Sequence, residues 1–138
     1  MSYWRLYYHF TWSTKKRMLW IAPAWEKRLY RVIAAKADQL HVLVHAIGGI
    51  EDHIHLVVSV PPSIKLATFA GQIKGNSSHF INHELDLDFT FSWQTSYGVV
   101  SFGQKRLPLV VEYVRHQREH HSVGTPISLL EQVADDCV

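Results

Sequence analysis

Hydrophobic and polar positions alternate strictly over residues 3–13. Trp4, Leu6, Tyr8, Phe10 and Trp12 fall on one side; Tyr3, Arg5, Tyr7, His9 and Thr11 fall on the other. A period of two predicts a strand. Polar residues 14–17 follow. Pro23 then opens a stretch in which Trp25, Leu29, Val32, Ile33 and Ala37 recur at helical spacing. Residues 42–47 predict a short apolar strand, and residues 53–60 a second one. Gly48-Gly49 and Glu51-Asp52 between them read as turn residues, so the two strands form a hairpin. Pro61-Pro62-Ser63 stops the second strand, with Ser63 as a candidate N-cap. The helix after it reaches about Glu84, with Leu66, Phe69, Ile73, Phe80 and Ile81 as its apolar stripe. Gly71 and Gly75 inside that helix read as points where another backbone comes close. Residues 86–92 are a loop, residues 99–102 a last strand, and residues 104–121 a last helix with Pro108 in its first turn.

The order is strand, helix, strand, strand, helix, strand, helix. It predicts an α+β fold: a ferredoxin-like split βαβ antiparallel sheet with helices on one face, plus a C-terminal helix. The chain of 138 residues suits one domain, expected over residues 1–124, with a tail over 125–138.

Composition narrows the class. An apolar content of 47% with 12% aromatics excludes a disordered chain. No apolar run is long enough to span a bilayer, and the first residues lack a secretory pattern. The single cysteine, Cys137, excludes an intrachain disulfide. A cytoplasmic protein without membrane partners is expected. The net charge of +2 does not announce a nucleic-acid binder. Its cations are nevertheless clustered, at Lys15-Lys16-Arg17 and at Lys105-Arg106 with Arg115 and Arg118.

The candidate chemistry starts at His53 and His55. Residues i and i+2 of a strand share a face, so two imidazoles stand side by side, close enough to share a metal ion or a phosphate. The last helix offers Tyr113 and Gln117, spaced i and i+4 on one face. A metal-bound phosphodiester beside a tyrosine hydroxyl is a phosphoryl-transfer site. Plainer readings stand beside this one. A His-x-His pair also occurs in ordinary strands, Tyr113 suits a packing role, and His116, His120 and His121 suit a solvated helix face.

These residues carry a resemblance. Glu51-Asp-His-Ile-His-Leu-Val-Val-Ser-Val-Pro-Pro62 and the segment Phe-Ala-Gly-Gln-Ile-Lys-Gly-Asn-Ser-Ser over 69–78 resemble the small single-tyrosine HUH transposases of insertion sequence types 200 and 605 and their repeat-associated relatives. Tyr8-His-Phe-Thr-Trp-Ser-Thr-Lys-Lys-Arg17 resembles their first strand and basic turn. Trp93-Gln-Thr-Ser-Tyr-Gly98 is similar to the segment before their last strand, and Glu112-Tyr-Val-Arg-His-Gln117 to their tyrosine helix. The resemblance spans residues 3–121.

The resemblance implies a site. His53, His55 and Gln117 would be metal ligands for Mg2+ or Mn2+. Tyr113 would be the nucleophile that joins the 5′ phosphate of cleaved single-stranded DNA. Lys15, Lys16, Arg17 and Lys74 are the candidate DNA contacts. Single-stranded DNA with hairpins at element ends would be the substrate. A homodimer is implied, in which the tyrosine helix of one subunit can complete the site of the other.

Two other functions compete. One is a module that holds single-stranded nucleic acid by stacking on Trp4, Tyr7 or Trp12 without chemistry. The other is a metal-dependent hydrolase in which water attacks and Tyr113 is structural.

Overall fold

The computed structural model describes residues 3–117. Its elements are β1 (Tyr7–Ser13), α1 (Pro23–Gln39), β2 (Leu43–Ile50), β3 (His53–Ser59), α2 (Leu66–Glu84), β4 (Gly98–Phe102) and α3 (Leu107–Arg115). The strands lie in the order β2-β3-β1-β4, and every neighbouring pair is antiparallel. This is the expected ferredoxin-like arrangement. β2 and β4 are its edges.

The alternation in β1 sorts the two faces. Phe10 and Trp12 pair in register with Leu56 and Ile54 of β3. All four are fully buried and belong to the main core. α1 covers this face with Trp25, Leu29, Ile33 and Ala37, and α2 with Phe69, Ala70, Ile73 and Ile81. The opposite face carries His9, Thr11 and Ser13 of β1 beside His53, His55 and Val57 of β3. Here a smaller cluster forms, in which Val110, Tyr113 and Val114 of α3 pack on Ala46 and Val57. β3 is therefore covered on both faces and buried at every position, which explains its continuous apolar run.

The segment between α2 and β4 is irregular yet built into the core. Phe91 and Trp93 are buried. Asn82 brackets Phe91, accepting from its amide at 2.8 Å and donating to its carbonyl at 2.9 Å. Trp93 Nε1 donates to Ser77 Oγ at 2.9 Å.

Several expectations are corrected. β1 starts at Tyr7, not at residue 3. Gly48 and Gly49 are not turn residues; they lie inside β2, opposite His55 and Ile54, and the turn is Glu51-Asp52 alone. Ser63 does not cap α2, which starts at Leu66 with Lys65 at the N-cap. Gly71 and Gly75 meet no other backbone, since a Cβ at either would touch nothing within 4 Å. The last helix divides into a 3-10 turn at Gln104–Arg106 and α3, which ends at Arg115. Expectations for His120, His121, Arg118, Cys137 and the tail lie outside the described residues. Among the described residues, no helix is long and apolar enough to cross a membrane.

Candidate active site

His53 and His55 point from β3 to the face that α3 covers. Their rings lie edge to face, with centroids 5.0 Å apart. Both are buried. Each is held at Nδ1 by a neighbour. His53 Nδ1 lies 2.7 Å from Asp52 Oδ1. His55 Nδ1 lies 2.7 Å from His9 Nε2 and 3.2 Å from Thr11 Oγ1. An imidazole that binds a metal through Nε2 must carry its proton on Nδ1, and an acceptor there fixes both tautomer and ring orientation.

Asp52 has a second partner, the Arg17 guanidinium, whose Nε lies 3.3 Å away. Burial pushes the Asp52 carboxyl up. The hydrogen bond from His53 and the attraction of a charged His53 and of Arg17 outweigh burial and hold it below its ordinary range. Asp52 is thus a carboxylate acceptor for His53 at neutral pH.

Tyr113 comes to this pair from α3 of the same chain. Its ring stands edge-on to His55, with centroids 6.1 Å apart, and it is 2% exposed. Gly48 makes this docking possible. A Cβ there would collide with the carbonyl of Val114, so α3 rests directly on the β2 backbone.

Gln117 lies just past the end of α3. His116, with φ −112° and ψ 36°, ends α3; Gln117 is helical again, and its Nε2 donates to the Tyr113 carbonyl at 3.2 Å. Its Oε1 is buried with no hydrogen-bond partner among the described residues. A buried, unsatisfied amide oxygen is costly unless a ligand meets it. Among the described residues, no three His, Cys, Asp or Glu side chains form a metal-holding group. The donors that the family resemblance implies are two imidazole nitrogens, from His53 and His55, and this amide oxygen. That set fits a divalent ion such as Mn2+, or Mg2+ with further oxygens from water and phosphate.

The basic residues divide. Lys15, Lys16 and Arg17 are exposed on a 3-10 turn, with Lys16 and Arg17 in the left-handed region at φ 54°. Thr14 N donates to Asp52 O at 2.9 Å, which ties this turn to the residue preceding His53. Lys74 is half-buried. Its ammonium donates to the carbonyls of Gln94 (2.7 Å) and Ser96 (3.0 Å), holding the segment before β4. His116 is exposed and bonded at Nδ1 to the Glu112 carbonyl.

The aromatic candidates divide too. Trp12 is wholly in the core. Tyr7 is buried as well, with its ring stacked on Phe102, while Trp4 lines an open cleft of 630 Å3 with Tyr3, Arg5, His45 and Ser59.

No site role is assigned to His9, Thr11, Asp52 or Gly48 from the sequence. Asp52 stands next to His53, and that adjacency could have assigned it one. His9 faces Val57 in register and reaches His55 only diagonally across the strand pair. That required the β1–β3 register, which the sequence alone does not carry.

Residues 2–117 match the protein family described as "Transposase IS200 like". The transposase for insertion sequence element IS200 of Salmonella typhimurium is 24% identical over 131 residues, covering 91% of this chain and 86% of its own. The corresponding Salmonella typhi transposase has the same identity and coverage. Two solved structures share the fold. A Deinococcus radiodurans protein assigned as a transposase superposes with a TM-score of 0.63 at 19% identity, over 91% of this chain and 95% of its own. A REP-associated tyrosine transposase bound to a REP hairpin gives 0.65 at 15% identity, over 100% of this chain and 94% of its own.

Proposed function

Because the chain belongs to the IS200-like transposase family, we propose that it cleaves and rejoins single-stranded DNA with Tyr113 as nucleophile and His53, His55 and Gln117 as metal ligands. The observation that carries this reading is the edge-on approach of Tyr113 to His55 within one chain.

The Tyr113 oxygen attacks a backbone phosphorus in line. The new O–P bond forms as the P–O3′ bond breaks, the phenol gives up its proton and the leaving 3′ oxygen takes one. The product is a 5′-phosphotyrosine and a free 3′ hydroxyl. Rejoining is the same exchange in reverse, with a 3′ hydroxyl displacing tyrosine. Mg2+ or Mn2+, when bound by His53, His55 and Gln117, supplies charge for the phosphate and for the oxygen that attacks it. Asp52 and His9 hold the two imidazoles. Lys15, Lys16 and Arg17 lie where they can meet DNA phosphates next to His53.

The substrate we infer is single-stranded DNA with a hairpin, as in the REP hairpin complex of the structural neighbour. The cleft with Trp4 favours stacking of an unpaired base. On the alternative reading of a non-catalytic binding module, that cleft would be the whole function. A homodimer formed along an edge strand is compatible with this site. No second copy is needed to bring Tyr113 to His55.

Hairpin-flanked single strands incubated with Mg2+ or Mn2+ provide the test. Wild type should cleave them, while Tyr113→Phe should bind them with similar affinity and leave them intact. Cleavage by Tyr113→Phe at the wild-type rate would remove the nucleophile from the proposal.

A further inference from the structure

We propose that His9 is a positioning residue for His55: its Nε2 accepts the Nδ1 proton of His55 and so keeps the His55 Nε2 lone pair available to a divalent metal. The proposal rests on the reading of His55 as a ligand.

His9 is 1% exposed on a strand whose other face fills the core. A polar ring there needs a bonded partner, and the structure supplies one at 2.7 Å. The two rings are stacked, with centroids 4.9 Å apart at 30°. Thr11 Oγ1 closes the arrangement, 3.2 Å from His55 Nδ1 and 3.4 Å from His9 Nε2.

Only two neutral arrangements satisfy the short bond between the imidazoles. In one, His55 donates from Nδ1 and His9 accepts at Nε2, which leaves His55 Nε2 unprotonated. In the other, His9 donates and the His55 proton sits on Nε2, where it blocks a metal. Holding the first arrangement is the role of His9.

The two ligands are then held by different chemistry. Asp52 gives His53 a charged acceptor, and His9 gives His55 a neutral one. A second carboxylate would orient His55 equally well. It would also add a fixed negative charge beside an incoming phosphodiester, and Coulomb repulsion is strong in a buried site. A neutral imidazole orients the ligand without that charge.

The test uses the full chain with Mn2+ and three kinds of variant. His9→Gln keeps an acceptor oxygen; His9→Phe removes it; His53→Ala and His55→Ala report on the site itself. Manganese affinity is read from the signal of the free ion. His9→Phe should lose roughly 10- to 100-fold, the usual effect of removing a ligand's hydrogen-bond partner, and His9→Gln should recover most of it. Long-range proton–nitrogen spectra of metal-free wild type give a reading independent of any variant's folding. They should show His55 protonated at Nδ1.

A His55 proton on Nε2 in wild type would overturn the proposal. So would His9→Phe binding Mn2+ like wild type, or His9→Gln failing as badly as His9→Phe. If His53→Ala and His55→Ala also bind like wild type, the metal site itself is wrong. If they lose binding while His9→Phe does not, only the role of His9 fails.

Discussion

Gly48 and Val114 touch backbone to backbone: a side chain at Gly48 would run into the Val114 carbonyl oxygen. Val114 follows Tyr113, so the absence of one methyl group on β2 sets how closely the tyrosine approaches the histidines. A carbonyl in a helix cannot rotate aside as a side chain can, so any added atom must move α3.

Gly48→Ala should therefore cost about 1–3 kcal/mol of stability in a urea melt, the range for overpacking. Cleavage should fall by roughly 100-fold or more, as a displacement near 1 Å produces. Gly71→Ala is the control. Its site is open, and the substitution should stabilise by up to about 1 kcal/mol through helix propensity. Equal effects of the two substitutions would show that the helix contact does not matter.

Gln117→Leu separates stability from function. It removes a buried oxygen that has no hydrogen-bond partner among the described residues, together with one bond to the Tyr113 carbonyl. The two losses oppose each other, so metal-free stability should stay within about 1 kcal/mol of wild type. Manganese affinity should drop several-fold, since water can replace an amide oxygen. Unchanged affinity would take Gln117 out of the ligand set.

His45 gives a pH dependence. Burial holds its pKa below the ordinary value of 6.5, and its Nε2 lies 2.7 Å from Ser59 Oγ. The unfolded chain therefore takes up a proton at higher pH than the folded one. Stability should be unaffected by this group above about pH 6.5 and should decline as pH falls from there through the lower folded pKa. His45→Gln does not titrate and should lack this component. Melting temperatures of the two proteins between pH 7.5 and pH 5 check the sign: wild type should lose relative to the variant as the solution acidifies. Parallel curves would contradict it.

The placement of Tyr113 beside His55 of its own chain also predicts the outcome of subunit mixing. Tyr113→Phe co-expressed with His53→Ala/His55→Ala should yield no active species, because neither chain holds a complete site. Purification on two different tags would isolate any mixed dimer. Restored cleavage in that species would show that α3 exchanges between chains.

Much of this was legible in the sequence where the pattern is local. The period of two in β1, the helical spacing of Trp25, Leu29 and Ile33, and the His53/His55 pair all describe neighbours along the chain. What was not legible depends on partners far away in sequence. Gly48-Gly49 looks like a turn because glycine pairs mark turns; the role of Gly48 is set by a helix more than sixty residues later. Lys74 looks like a free cation because lysines on helices usually are. Two carbonyls of an irregular segment take its ammonium, and no periodicity announces them. Trp12 offered a stacking surface only until the sheet placed it in the core. The spacing of Tyr113 and Gln117 suggests one unbroken helical face, whereas α3 ends at Arg115 and His116 interrupts it between them.

The most direct test of the account is to find where DNA becomes attached. Hairpin-bearing single strands labelled at the 3′ end are incubated with wild type and Mn2+, resolved under denaturing conditions, and the adduct is digested and mapped by mass spectrometry. The account predicts a labelled protein band whose DNA is carried on the peptide containing Tyr113, with a free 3′ hydroxyl on the released fragment. Cleavage without any adduct would assign the attack to water, and an adduct on Tyr97 or any other residue would contradict the site described for Tyr113.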